Sequence, residues 1–177
     1  MKLIVGLGNP GRKYAGTRHN VDALRQKLAE TYSTPEWQLS KKFNADVCGT
    51  TIGGKKIILA KPMTFMNASG QATQLIAAFY KLTPRDIIVV HDEKDLPLGE
   101  IRHQFDRGAA GHNGVRSIME YIGTPAFDRI RVGVASDNPK RMQDTASFVL
   151  SNFGILERKK IKLAVGESVE KILKLIS

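Results

Sequence analysis

The chain has 177 residues, 42% of them hydrophobic, enough for one globular core that needs no disulfide or metal staple. Its 27 lysines and arginines against 17 acidic residues leave a formal charge of +10, which favours a polyanionic partner, nucleic acid or an anionic membrane surface, over an acidic protein. A single cysteine, Cys48, excludes an internal disulfide framework and a cysteine-only zinc cluster, and no apolar run reaches the roughly 18 residues needed to cross a bilayer. The opening apolar run is also too short for a signal peptide, so a soluble cytoplasmic protein is expected.

Lys2 to Leu7, closed by glycine and proline, predicts a buried opening strand. Asn20 predicts an N-cap for a helix with Val21, Leu24 and Leu28 on one face. Phe43 to Ile52 and Lys55 to Ala60 flank Gly53-Gly54, the signature of a hairpin. Ala72, Leu75, Ile76 and Phe79 recur at helical spacing until Thr83-Pro84 closes the element. Ile87 to Val90 predicts a central strand with His91, Asp92 and Glu93 at its carboxyl end, and another short strand is expected around Ile101 to Phe105. A glycine-rich turn from Gly108 to Gly114 then opens a helix with Val115, Ile118, Met119 and Ile122. Ile130, Val132 and Val134 alternate with polar or small residues as a further strand, and the polar stretch Ser136 to Asp144 predicts a mobile loop. Two helical segments finish the chain, the last with Ile161, Val165, Val169 and Ile172 inward. The expectation is a single α/β domain over residues 1–177, a twisted mixed and mostly parallel β-sheet flanked by helices, with one hairpin. Ligands of such folds collect outside the carboxyl ends of the strands, where Asn9 and Asp92 fall.

Gly6, Gly8 and Gly11 match the spacing of a dinucleotide loop, but that chemistry requires a helix starting at the glycines, with its N-terminus on the pyrophosphate. Pro10 and the polar stretch Arg12 to Arg18 intervene, and no acidic residue ends an adjacent parallel strand to hold a ribose. The glycines therefore predict a tight turn that aims Asn9 into a cleft, and no nicotinamide or other cofactor is expected. The four histidines, His19, His91, His103 and His112, lack the close pairing of a metal site, so no metal is expected either. A nucleophile elbow of the G-x-S-x-G type is missing, Ser69 reads as a helix-start residue and Cys48 as a small half-buried strand residue. What remains is a histidine, an aspartate at a strand end and several loop amides. That set suits attack by water, with aspartate fixing the histidine tautomer, histidine taking the proton, and amides holding substrate and oxyanion.

Four blocks of the chain together resemble the bacterial peptidyl-tRNA hydrolases. They are Leu3 to Gly11 with Tyr14 and Thr17-Arg18-His19-Asn20, then Lys61 to Gly70, then His91 to Gly99, then Gly111-His112-Asn113-Gly114 with Phe127 to Gly133 behind it. The resemblance implies an enzyme that hydrolyses the ester between a peptide, or an N-blocked amino acid, and the 3′ ribose of tRNA, without metal or cofactor. It implies His19 as general base and Asp92 as its orienting partner. Asn9, Asn67 and Met66 would line the peptide-binding cleft, Asn113 would help place the water or the carbonyl, His112 would shape the same wall, and Tyr14 would border the 3′ end. Arg102 and Arg131 match basic positions that contact tRNA phosphate, with Lys94, Arg107, Arg116, Lys140 and Arg141 as weaker candidates. A monomer in the cytoplasm, with peptidyl-tRNA as partner and no membrane association, is the corresponding expectation.

The chain departs from the family pattern at Asp22, Ala110 and Gln104, and its end at Ser177 comes before the tail that many members carry. These differences bear on tRNA contacts more than on the chemistry. The alternative reading is a non-catalytic RNA-binding module on the same fold, as in related splicing factors, and retention of both His19 and Asp92 argues against it.

Overall fold

The computed structural model describes residues 1–20 and 37–176. Their strands form one seven-stranded sheet in the order β2-β3-β4-β1-β5-β7-β6, with β1 Lys2–Gly6, β2 Gln38–Ser40, β3 Ala45–Ile52, β4 Lys55–Pro62, β5 Ile87–Pro97, β6 Ile101–Phe105 and β7 Asp128–Ala135. The four central strands β4, β1, β5 and β7 run parallel, and antiparallel pairings add β3 and β2 at one side and β6 at the other. The helices are α1 Ser69–Phe79, α2 Asn113–Ile122, α3 Thr145–Val149 and α4 Ile155–Ile176. The helix expected after Asn20 falls on residues 21–36, outside the described residues.

Alternation along the central strands builds two cores. Leu3, Val5, Ile87 and Val89 pack with Ala72, Ile76, Val115 and Ile118 under α1 and α2. Ile4, Ile88, Val90, Ile130 and Val132 pack with Val165, Val169 and Ile172 of α4 on the other face. Covering both faces is what makes these strands read as continuous apolar runs. The strand expected around Ile130, Val132 and Val134 is β7, and its polar and small alternates are covered as well, with residues 129–134 all buried. Arg129 and Arg131 are buried there with polar partners, because β7 lies between β5 and β6.

Gly53 and Gly54 both take positive φ at the β3–β4 turn, the conformation that a two-residue hairpin loop requires and that glycine adopts without cost. A second tight antiparallel connection joins β2 to β3, so the meander has one hairpin more than expected. On α1, Ala72 and Ile76 are buried while Leu75 and Phe79 are substantially exposed, so the inward stripe is narrower than the periodicity suggests. Cys48 is buried, not half-buried. The polar stretch 136–144 carries a 3-10 turn, Pro139–Met142, capped by the Asn138 side chain. No helix among the described residues is long and apolar enough to cross a membrane.

The sheet's carboxyl edge is stepped, and the step positions the site. β1 stops at Gly6 opposite Val90, while β5 continues beside β7 through Glu93 and on to Pro97. The expectation of a strand ending at Val90 is thus corrected: pairing with β7 carries the strand on. His91, Asp92 and Glu93 are still delivered beyond the end of β1, where Asp92 meets His19.

Candidate active site

Asp92 is the centre of the site. Its Oδ1 lies 2.8 Å from His19 Nδ1 and 3.0 Å from His112 Nε2, so two imidazoles share one carboxylate oxygen. Asp92 and His91 are almost fully buried, and the side chains of His19 and His112 retain only about a tenth of their exposure or less. Burial alone would raise the Asp92 pKa, yet the charge and hydrogen bond of His112 and the hydrogen bond and charge of His19 outweigh it and hold this carboxyl far below the ordinary range. Asp92 is an ionised acceptor at neutral pH.

The hydrogen bonds assign the tautomers. His112 is the N-cap of α2, and its Nδ1 accepts from the Val115 amide at 3.3 Å. Its proton is therefore on Nε2, donated to Asp92. His19 in turn donates Nδ1–H to Asp92, which leaves the Nε2 lone pair to take a proton. His91 donates Nδ1–H to the Asp92 carbonyl at 2.7 Å and meets the His112 ring edge-on at 4.7 Å. Desolvation, then the neighbouring His112, pushes the His91 pKa well down, so this ring stays neutral.

His19, Asp92 and His112 also bring three potential metal-ligating atoms within 4.8 Å of one another, a convergence that linear spacing does not show. The donor set nevertheless fits hydrogen bonding better than coordination. A metal would need the His112 Nε2 lone pair, and the Val115 amide favours the tautomer in which that nitrogen carries a proton.

His19, Asp92, His112 and Asn113 line one cleft of about 220 Å³, together with Glu93, Lys94, Ala110, Gly111, Thr145, Ala146 and Val149. Asn113 is exposed at the start of α2, with its Oδ1 accepting from the Arg116 guanidinium. Asn9, Met66 and Asn67 form a neighbouring group. Asn9 is buried, its amide and carbonyl are bonded reciprocally to the Asn20 side chain at 2.8 and 2.9 Å, and its Oδ1 accepts from the Met66 amide at 2.9 Å. Met66 packs so tightly on Gly114 that a Cβ there would lie 2.5 Å from the sulfur, which ties the Met66–Asn67 turn to the start of α2. Asn67 itself is exposed.

Of the remaining sequence-derived positions, Lys94 lines the cleft, whereas Tyr14, Arg102 and Arg131 do not. Tyr14 sits half-buried on a 3-10 turn, Arg12–Tyr14, with Lys13 over its ring, and does not line the cleft. Arg102 is exposed and paired with Glu100 at 2.5 Å. Arg131 is buried and bonded to Glu93 at 2.9 and 3.1 Å and to Gln104 at 2.9 Å, so its guanidinium is committed within the protein. Among the weaker candidates, Lys94 bonds to Asp95 and Arg107 to Gln104. Sequence reasoning missed the contribution of Thr145, Ala146 and Val149 to the cleft wall, and no local signal marks them. Glu93 could have been found as the acidic neighbour of Asp92 on the same strand.

The family model for peptidyl-tRNA hydrolase matches residues 3–177. The chain belongs to the peptidyl-tRNA hydrolase family. The peptidyl-tRNA hydrolase of Mycobacterium leprae is 42% identical over 160 residues, covering 90% of this chain and 79% of the relative. That of Aquifex aeolicus is 42% identical over 180 residues, covering 99% and 90%. The crystal structure of the Acinetobacter baumannii peptidyl-tRNA hydrolase superposes with a TM-score of 0.89 at 36% identity, over 99% of this chain and 87% of that one. The α/β fold with its mixed sheet is thus the fold of this family of hydrolases.

Proposed function

We propose that the protein hydrolyses the ester joining a peptide, or an N-blocked amino acid, to the 3′ ribose of tRNA, with His19 as general base and Asp92 as its orienting partner. The observation that carries this reading is the 2.8 Å contact between His19 Nδ1 and a buried, ionised Asp92, in a cleft, on a chain of this family.

The chemistry follows from the tautomers. His19 Nε2 takes a proton from water as its oxygen attacks the ester carbonyl carbon. Asp92, accepting the Nδ1–H, stabilises the imidazolium that forms. The tetrahedral intermediate collapses with cleavage of the bond to the ribose oxygen, which receives the proton from His19, and the products are tRNA and a free carboxylate. An ester is activated enough for a single imidazole to suffice at neutral pH. The Asn113 side chain, its oxygen held by Arg116, keeps its amide hydrogens for the carbonyl oxygen or the water. Asn9 uses its own oxygen to fix Met66, so its amide group and the exposed Asn67 remain for peptide backbone, which both donates and accepts whatever the sequence. The +10 charge supports tRNA as the carrier, with exposed Arg102 a phosphate contact and buried Arg131 acting through Glu93 and Gln104.

Incubation with N-acetyl-aminoacyl-tRNA should release free tRNA, and His19→Ala should lower the rate by about 100- to 10,000-fold while tRNA binding persists. Binding without release by the unaltered protein would instead favour the RNA-binding alternative, and full activity of the alanine variant would remove His19 from its role.

A further inference from the structure

Arg18 precedes the proposed base and is completely buried. A buried guanidinium is costly unless it is paired and hydrogen-bonded, and here each of its three nitrogens has a partner. Nη1 donates to the Val134 carbonyl at 3.0 Å, Nη2 reaches both Glu157 oxygens at 2.7 and 2.6 Å, and Nε lies 3.4 Å from Ser151 Oγ. The flat group also lies over the rings of Phe148, at 4.7 Å, and Phe153, at 4.9 Å. Glu157 stands on the first turn of α4, where its Oε2 also accepts from the Gly154 amide at 2.7 Å. Partial burial acts to raise its pKa, but the Arg18 and Gly154 hydrogen bonds and the Arg18 charge hold it below the ordinary carboxylate value.

Among the described residues, the side-chain partners of Arg18 outside β7 all belong to residues 148–157, the segment that continues from the cleft wall. The backbone repeats the link. Arg18 N–H donates to Ser151 at 3.0 Å, His19 N–H to Val149 at 2.8 Å, and Thr17 forms a β-bridge with Asn152. Val149, whose carbonyl holds the His19 amide, lines the cleft with Thr145 and Ala146 of the same helix. The His19 imidazole and α3 both line the cleft, and Arg18 links the segments that carry them.

We propose that Arg18 and Glu157 are positioning residues for the hydrolysis, a clamp that holds the α3 wall at a set distance from His19. The proposal rests on the reading of His19 as the base. The clamp acts on the wall and not on the imidazole, whose orientation has its own hydrogen bond to Asp92. Loosening it should therefore weaken substrate binding more than turnover.

Arg18→Lys keeps the charge but loses the separate Nη1 bond to Val134, the Nε contact with Ser151 and the planar group over the two rings, and Glu157→Gln keeps a hydrogen bond but loses the charge. With N-acetyl-aminoacyl-tRNA, Arg18→Lys should raise KM about tenfold, with kcat within about twofold and an unshifted pH profile of kcat, and Glu157→Gln should raise KM by a smaller factor. In hydrogen exchange, the amides of residues 18–19 and 145–153 should exchange about tenfold faster in Arg18→Lys, while those of β1 and β5 keep their protection. Unchanged KM with unchanged local exchange would overturn the clamp, as would a uniform rise of exchange across the sheet, which marks general destabilisation. If Arg18→Lys does not fold, Glu157→Gln decides by the same two measurements. Should His19→Ala retain activity, the reading of the base fails, whereas the exchange result still reports on the clamp.

Discussion

Two histidine–aspartate pairs in this molecule have nearly the same length and opposite settings. His103 Nε2 lies 2.7 Å from Asp128 Oδ1 across the β6–β7 edge, and His19 Nδ1 lies 2.8 Å from Asp92 Oδ1 in the cleft. In the first pair the side chains are 40% and 17% exposed, in the second 11% and 2%. Water competes for the first pair and screens it, so it is a surface contact worth at most about 1 kcal/mol. The second pair is desolvated, its aspartate is shared with His112, and its other imidazole nitrogen is left for chemistry. Distance between partners does not make a base. Burial, a fixed tautomer and an adjoining cleft do.

The sharpest way to test this contrast is to neutralise each aspartate in turn. Asp92→Asn should lower kcat by about 100-fold or more, because the amide can present hydrogen to His19 and favour the wrong tautomer. Asp128→Asn should leave the rate within about twofold. Rates on N-acetyl-aminoacyl-tRNA compare the two directly, and equal losses would erase the distinction. A smaller effect is expected at the shared acceptor. His112→Asn keeps a cap for α2 but weakens the donor to Asp92, and should cost about tenfold in kcat with little change in melting temperature. A large melting shift would assign His112 to the helix instead of the site.

The smallest effect concerns pH. The folded state holds His91 neutral, with its pKa below the unfolded value near 6.5. On acidification the unfolded chain therefore takes up this proton first. The stability contribution is whole above pH 6.5 and declines below it, by up to about 1.4 kcal/mol per pH unit for one proton. The Asp92 carboxyl, also lowered, loses its contribution only further down, as pH falls below the unfolded aspartate value near 4. Thermal melts of the protein and of His91→Asn between pH 7 and 5 should show a flatter profile for the variant, and parallel profiles would exclude His91 as the group responsible.

Much of the architecture is legible in the residue order, because local periodicity and turn chemistry report directly on backbone geometry. The apolar runs at Leu3–Val5 and Ile87–Val90 name the central strands, Gly53-Gly54 names the hairpin, and the helical spacing of Val115 and Ile118 names α2. The candidate base and its partner could also be named, since histidine, aspartate and amides in four blocks resemble a family whose chemistry they suit. Other features depend on where distant segments meet. Asp92 lies 73 residues from His19 and 20 from His112, and no spacing rule indicates that both imidazoles reach the same oxygen. The apparent freedom of Arg131 vanishes once β7 is placed between two neighbours and Glu93 is found beside it. Arg18 looks like one more surface cation until two phenylalanines and Glu157, more than 120 residues further on, enclose it. Residue order determined the local conformations and the chemical inventory of this protein. Only the tertiary structure decided which charges lost their water, and burial is what separates a working ion or imidazole from an ordinary one.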